Sequence, residues 1–155
     1  MSNSKVVTPY GGDQNEKKNE VASMFNNIAG NYDFLNHFLS MGIDKLWRKK
    51  VVKMVANVHA KNVLDVATGT GDLAIALLKA KPDKITGIDI SVGMLEKGNE
   101  KIKQLKVDNI IELVKGDSEN IQFNDATFDA ITVAFGVRNY QNLDKGLSEM
   151  FRVLK

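Results

Sequence analysis

Four clusters in this chain combine residue types that recognise a small molecule. Asp65 is followed by Val66-Ala67-Thr68-Gly69-Thr70-Gly71-Asp72, an acid and then a loop with little side chain. Asp89 lies 20 residues after Gly69 and closes the run Ile85-Thr86-Gly87-Ile88. Asp117-Ser118 follows a third apolar run. Arg138-Asn139 follows a fourth, which passes through Ala134 and Phe135-Gly136. A glycine loop between strand and helix lets a ligand lie on bare backbone, where N–H groups at the helix start point outward. An acid at the distance of Asp89 accepts hydrogen bonds from ribose hydroxyls. Asp117 is placed to take a base amino group, so the pattern predicts a nucleotide-like cofactor.

Two cofactor chemistries compete for this spacing. Gly69-Thr70-Gly71-Asp72-Leu73-Ala74 fits the dinucleotide fingerprint G-x-G-x-x-G/A, with Asp89 as its ribose acid. By spacing alone a nicotinamide cofactor stays open. Three features oppose it: Asp65 would repel a pyrophosphate, Asp117 adds a second acid, and Ala67-Thr68 lacks the early glycine of the dinucleotide turn. A cofactor with a cationic ammonium and no phosphate, such as S-adenosylmethionine, suits the acidic rim better. Burying the Asp65 carboxylate costs several kcal/mol unless it is paired. A ligand amine or loop N–H groups would satisfy it.

The elements that position these clusters alternate. Apolar runs predict strands over 62–66, 85–90, 109–115 and 130–135. Helical periodicity lies between and around them. Leu73, Ala76, Leu77 and Ala80 share one face. Ser91 caps a helix with the inner face Leu95, Gly98, Ile102 and Leu105. Leu143, Leu147, Met150, Phe151 and Leu154 share another. Strand–helix alternation implies right-handed crossovers and a parallel sheet, which binds ligands beyond the carboxyl ends of its strands. Before the first strand, 1–14 reads as a loose arm, and a helix from about Asn15 shows Val21, Met24, Phe25 and Ile28 before Gly30. A second helix begins at Asp44 as N-cap. Its apolar face is Trp47, Val51, Met54, Val55 and Val58, and its other positions carry Lys45, Arg48, Lys49, Lys50 and Lys53. The basic set is either a solvated face or a cationic surface resting on anionic lipid, where each residue contributes about 1 kcal/mol. The chain thus divides into an arm and helical cover over 1–59 and a cofactor-binding part over 60–155.

The totals bound the function classes. The chain has 155 residues, 43% hydrophobic and 26% charged, which suits one globular domain with a real core. A net charge of +2 is too small to argue for nucleic acid. There is no cysteine, and His37 and His59 lack ligand spacing, so no metal site is expected. Residues 1–19 have no apolar signal core, and no run approaches the roughly 20 apolar residues that span a bilayer. A cytoplasmic protein is expected, with a peripheral contact at the inner face of a membrane through helix 44–58 left open, as is a homodimer.

Several segments together resemble the quinone-ring C-methyltransferases of menaquinone and ubiquinone biosynthesis. Asp65-Val66-Ala67-Thr68-Gly69-Thr70-Gly71-Asp72 resembles the first cofactor motif of that family. Tyr32-Asp33-Phe34-Leu35-Asn36, Ser40-Met41-Gly42-Ile43-Asp44 and Trp47-Arg48 resemble its N-terminal signature. Phe128-Asp129-Ala130 and Phe135-Gly136-Val137-Arg138-Asn139 resemble its region around the fourth strand, and Glu149 to Lys155 resembles the helix before a fifth. The similarity covers about residues 20–155. The first motif is shared by many methyltransferases, whereas the Tyr32 to Asn36 and Phe135 to Asn139 segments are more specific.

The resemblance implies the Rossmann-like α/β fold of class I S-adenosylmethionine-dependent methyltransferases, here its N-terminal part with about four strands. It implies S-adenosylmethionine as donor and a prenylated quinol as acceptor, with 2-demethylmenaquinol favoured by the Ala-Thr-Gly-Thr-Gly loop and a benzoquinol of the ubiquinone pathway as alternative. Thr70, Asp89, Asp117 and Ser118 match the family's cofactor contacts, and Asp65, Gly69, Gly71 and Ala134 should line the same site. Arg138 and Asn139 would stabilise developing charge on the acceptor oxygen, with Tyr32, Asp33 and Asn36 from the cover and Asp33 as base. Phe34, Leu35, Phe38 and Leu39 either pack or line an apolar substrate channel. Asp44 stands where many members have histidine, so no catalytic role is assigned to it. The family continues past the position of Lys155 with a Pro-Gly-Gly turn and three strands. The chain therefore reads as a truncated form with its fourth strand as an edge, and a non-catalytic cofactor-binding remnant is the reading from another class.

Overall fold

The computed structural model describes residues 17–31 and 43–155. Tyr32, Asp33 and Asn36, the apolar residues Phe34 to Leu39 and the arm over 1–14 lie outside the described residues. The helices are α1 (Lys17–Ile28), α2 (Ile43–Asn57), α3 (Asp72–Leu77, extended by a 3-10 turn Leu78–Ala80), α4 (Val92–Leu105) and α5 (Leu143–Val153). The strands are β1 (Asn62–Val66), β2 (Lys84–Asp89), β3 (Ile111–Lys115) and β4 (Ala130–Val133), and a 3-10 turn Gly136–Asn139 follows β4.

The expected parallel α/β sheet is present, in the order β3-β2-β1-β4. Every pairing is parallel, with Leu64 opposite Thr86 on one side and Ile131 on the other. Val63, Leu64, Asp65 and Val66 are all buried, as expected of a strand covered on both faces. The chain runs outward from β1 to β2 to β3, then returns to place β4 on the other side of β1. The order reverses there, opening a crevice beyond the strand ends. One face of the sheet packs Val63, Ile85 and Ile111 with Leu73, Leu77, Leu95 and Ile102. The other packs Leu64, Val66 and Ile88 with Phe128, Met150 and Val153. On its outer side β4 is flanked, among the described residues, by a single parallel bridge between Phe128 and Leu154.

Helix boundaries follow local chemistry. Ser91 caps α4 by accepting from the Met94 N–H at 3.3 Å, and Asn142 caps α5 by accepting from Lys145 at 3.0 Å. The helix after the glycine loop is only six residues long before it tightens.

Three helix faces differ from the expected ones. On α2, Val55 is buried and Trp47, Val51 and Val52 pack against the core, but Met54 and Val58 are 61% and 64% exposed. Met54 stands about 100° round the helix from Val55, on the side turned away from Leu73 and Leu77. Asp44 is not a flanking cap. It lies in the first turn, buried, with its charge paired to Arg48 one turn on. On α4, Met94 takes the inward place expected of Leu105, which is exposed. On α5 the stripe Leu143, Leu147 and Phe151 is exposed, and Gly146, Met150 and Val153 face the sheet. That helix is apolar on two sides, and periodicity alone does not say which meets the sheet. No helix among the described residues is long and apolar enough to cross a membrane.

Candidate functional site

The loop after β1 carries the site's backbone, and its amides are largely committed within the protein. The Thr68 N–H donates to the Ile88 carbonyl at 3.0 Å, and the Gly71 N–H to the Thr68 carbonyl at 3.0 Å. The Gly69 N–H donates to the Asp89 carboxylate at 2.8 Å. The Thr68, Gly69 and Gly71 N–H groups are therefore taken up within the protein, and the loop presents fewer donors to a pyrophosphate than its glycine spacing suggests. What the loop offers instead is closeness. Ala67, Gly69 and Gly71 all have positive φ, and Gly69 faces open space. The loop after β4 meets it tightly: a Cβ on Gly136 would lie 2.3 Å from the Ala67 Cβ, so only glycine lets the two loops touch.

Asp89 ties two loops together. One of its oxygens accepts from Gly69 and the other from the Ser91 N–H, both at 2.8 Å. Burial pushes its carboxyl above the usual range, partly offset by the backbone N–H groups of Ser91, Gly69 and Ile90. A carboxylate has about four acceptor sites, so the remaining ones can serve ribose hydroxyls. Asp117 accepts from the Glu119 N–H at 2.9 Å and pairs with Lys18 of α1 at 2.7 Å. Lys18 also reaches Glu119 at 3.0 Å, and the neighbouring Lys17 donates to the Tyr140 carbonyl at 2.8 Å. Asn26 of the same helix accepts from the Ser91 hydroxyl and the Gly93 N–H. These contacts draw α1 across the strand ends as a cover.

Beneath it lies a cavity of about 380 Å³. Gly69, Asp89, Asp117, Ser118, Ala134, Arg138 and Asn139 line it together, as do Met24, Phe25, Ile90, Met94, Glu119 and Tyr140. A second cavity of about 350 Å³ adjoins it on the α2 side, bounded by Asp44, Trp47, Arg48, Asp72 and Leu73. Asp65 and Thr70 line this second cavity, and Gly69, Ala134 and Arg138 line both. Gly71 lines neither and packs on Leu113. The two cavities straddle the point where the strand order reverses.

Asp65 differs most from its expected setting. It lies one residue inside β1 and is buried, and its partners are neither a ligand amine nor loop N–H groups. The hydroxyls of Thr68 and Thr132 each donate to it at 2.6 Å. Burial raises its carboxyl from 3.8 to about 6, against the two hydroxyl bonds that lower it. Because the folded-state value is the higher one, the native state holds this proton more tightly than the unfolded chain. Stability is greatest below the unfolded value and falls as pH rises through about 6. Denaturant midpoints should therefore drop between about pH 4 and about pH 7 by the equivalent of about 3 kcal/mol, and Asp65→Asn should remove that part of the slope. Parallel pH profiles for the two proteins would refute this assignment.

Sequence reasoning missed Lys18, Glu119, Met24, Phe25, Met94 and Tyr140 as lining residues, and Asp72, Leu73 and Thr68 around the second cavity. Val21, Met24 and Phe25 were legible only as a helix face. Glu119 lies two residues past Asp117, but nothing in its spacing marks it as buried. Its carboxylate accepts from the Gln141 and Asn142 N–H groups as well as pairing with Lys18. Arg48 reads as one of a set of solvated bases, yet it pairs with Asp44 and, at 3.3 Å, with Asp72.

Known proteins similar to this chain are methyltransferases. A demethylmenaquinone methyltransferase of Porphyromonas gingivalis is 46% identical over 157 residues, 99% of this chain and 63% of that protein. One of Bacteroides fragilis is 48% identical over 150 residues, 96% of this chain and 61% of that protein. A ubiquinone/menaquinone biosynthesis C-methyltransferase of Geotalea daltonii is 44% identical, covering 90% of this chain and 60% of its own length. The chain thus spans about three fifths of the curated relatives it matches. Among solved structures, a putative S-adenosyl-L-methionine-dependent methyltransferase of Methanococcus maripaludis superposes with a TM-score of 0.75 at 26% identity, over 84% of this chain and 59% of that one. A SAM-dependent methyltransferase of Aquifex aeolicus gives 0.61 at 31% identity, over 70% of this chain and 58% of that one. The family model of the ubiE/COQ5 methyltransferases matches residues 13–155, and the chain belongs to that family.

Proposed function

We propose that this chain binds S-adenosylmethionine in the first cavity and directs its methyl group to a ring carbon of a prenylated quinol, 2-demethylmenaquinol before any other. The observation that carries the donor half is the chemistry of the cavity wall. Asp89 and Asp117 supply acceptors for hydroxyl and amino groups, Ile90, Met94, Met24 and Phe25 supply an apolar bed, and the Thr68, Gly69 and Gly71 amides are already bonded within the protein. A cationic ligand without phosphate fits that set. The acceptor half is supported by the names of the relatives: those matched at 46% and 48% identity are demethylmenaquinone methyltransferases. A benzoquinol acceptor is the alternative.

Held by Asp89 and Asp117, the donor would supply an electrophilic sulfonium methyl, with a neutral thioether as leaving group, to a ring carbon that gives up its proton in exchange. The chain's own residues have three tasks. Ala67, Gly69 and Ala134, with Phe135 and Arg138, line both cavities, and the first three add no side chain beyond a methyl group to the shared wall. The Arg138 guanidinium stabilises negative charge on the acceptor oxygen, with Asn139 next in the chain. Asp33 of the N-terminal signature, with Tyr32 and Asn36 of the same segment, is assigned the hydroxyl proton, whose removal makes the ring a stronger carbon nucleophile.

Calorimetric titration of the chain with S-adenosylmethionine and S-adenosylhomocysteine, followed by transfer of a labelled methyl to reduced demethylnaphthoquinol and benzoquinol, tests both halves. Binding of both donor forms with transfer to the naphthoquinol is expected. Absence of binding overturns the donor half, and binding without transfer to either ring overturns the catalytic half.

A prenylated acceptor resides in a bilayer, and the outer face of α2 supports contact with an anionic one. Lys45, Lys49, Lys50 and Lys53 are exposed there beside the exposed Ile43, Leu46 and Met54. This is the composition of an interfacial helix. The chain should co-sediment with phosphatidylglycerol vesicles and not with phosphatidylcholine vesicles. Exchanging Lys49, Lys50 and Lys53 for glutamate should abolish it, and lipid-independent binding would refute the assignment.

A further inference from the structure

Helix α1 crosses the first cavity without resting on a core. Val21, Met24 and Phe25 form its underside and line that cavity. No residue of α1 belongs to either apolar cluster that packs the sheet. At 12 residues its length is marginal for an isolated helix in water. Its hold therefore depends on its two ends, and these differ. The C-terminal end is seated. The Asn26 Oδ1 accepts from the Ser91 hydroxyl at 2.7 Å and from the Gly93 N–H at 2.9 Å, and a Cβ on Gly93 would lie 3.4 Å from the Asn26 Cα. The N-terminal end is fastened by cations. Lys17 donates to the Tyr140 carbonyl, and Lys18 pairs with both Asp117 and Glu119. Cations in a first turn oppose the helix dipole, so the two lysines serve these outside partners rather than the helix. The Lys18 and Asp117 side chains are 33% and 34% exposed, where ion pairs are weak.

We propose that α1 is a strap over the donor cavity, hinged at Asn26 and latched by Lys18, which lifts from Asp117 and Glu119 to admit the donor and closes behind it. The proposal rests on the reading of the first cavity as the donor site and adds how that site is gated. Asp117 is both a wall of the cavity and the catch of the latch, so one carboxylate faces the ligand and holds the cover shut. A segment with little buried apolar contact opens at low free energy, before the sheet does. A ligand beneath the strap gives Met24 and Phe25 apolar surface to rest on, so occupancy favours the closed form. Lys18 is a positioning residue in this scheme, acting through the helix that carries it.

Hydrogen exchange of the full chain, followed by mass spectrometry, reads the strap without a ligand. Lys18→Met keeps the reach of the side chain and removes its charge. Amides of Val21 to Ile28 should then exchange about three- to fivefold faster, the weight of one partly exposed ion pair, while those of β1 stay unchanged. Lys18→Arg should restore the original rate, and S-adenosylhomocysteine should slow the same amides. Surface plasmon resonance with S-adenosylhomocysteine reads the gate. Association and dissociation rates should both rise about three- to fivefold in Lys18→Met, leaving Kd within about twofold. A residue that only contacts or orients the ligand would change dissociation alone. Amides of α1 that exchange as slowly as those of β1, or an association rate unmoved by Lys18→Met, overturn the strap. If S-adenosylhomocysteine binds neither protein, the donor reading falls, and the exchange rates still decide whether α1 opens at Lys18.

Discussion

Arg138→Ala should lower methyl transfer by about 100- to 1,000-fold, the loss seen when one donor to a developing oxyanion is removed. Donor affinity should stay within about twofold. The side chain projects from the 3-10 turn Gly136–Asn139 and lines both cavities. Its contribution is a guanidinium's charge and hydrogen bonds rather than proton transfer. Lysine at the same position should recover only part of the loss, because a point charge cannot reproduce the planar guanidinium over Phe135. Single-turnover rates with saturating donor separate the two effects. Loss of donor binding with normal turnover in the residual complex would reverse the assignment.

Asp89→Ala should do the opposite and weaken donor binding by about 100-fold. Its two oxygens hold the Gly69 and Ser91 N–H groups. Leaving two such donors unpaired costs about 1–3 kcal/mol each, and the glycine loop is then no longer held to the end of β2. Asp89→Asn keeps one accepting oxygen and should fall between the two. Calorimetry with S-adenosylhomocysteine measures the series, with circular dichroism to confirm that each variant is folded. Equal affinities for wild type and Asp89→Ala would remove Asp89 from the donor site.

The two substitutions probe residues whose importance was readable in different ways. Asp89 was marked by its distance from Gly69 and its place at a strand end. The structure keeps it at the cavity and adds a second task, restraint of the loop. Arg138 was marked by composition, an Arg-Asn pair after Phe-Gly, and by resemblance. The β1 loop was legible, and the structure adds that three of its amides, those of Thr68, Gly69 and Gly71, are bonded within the protein. A glycine loop announces close approach, yet whether its N–H groups face a ligand or a neighbouring strand depends on partners far along the chain. Ile88 and Asp89 turned out to be those partners.

The same division runs through the fold. Alternation of apolar runs with helical periodicity was enough for four parallel strands, the helices between them and the end of the sheet that carries the site, because strand burial and crossover handedness are local and general constraints. Which face of α2 and of α5 turns inward was decided by packing. Both helices carry apolar residues on more than one side. Packing with the cluster of Leu73, Ala74 and Leu77 selects Val55 over Met54, and packing with Leu64 and Val66 selects Val153 over Phe151. The pairing of Asp65 with Thr132, of Lys18 with Asp117, and of Trp47 with Phe135 joins residues 67, 99 and 88 positions apart. Long-range contacts of that kind leave no periodic trace in the chain. They exist because folding brings the ends of β1 and β4 and the covering helices to one place, and the shape of the two cavities is set there.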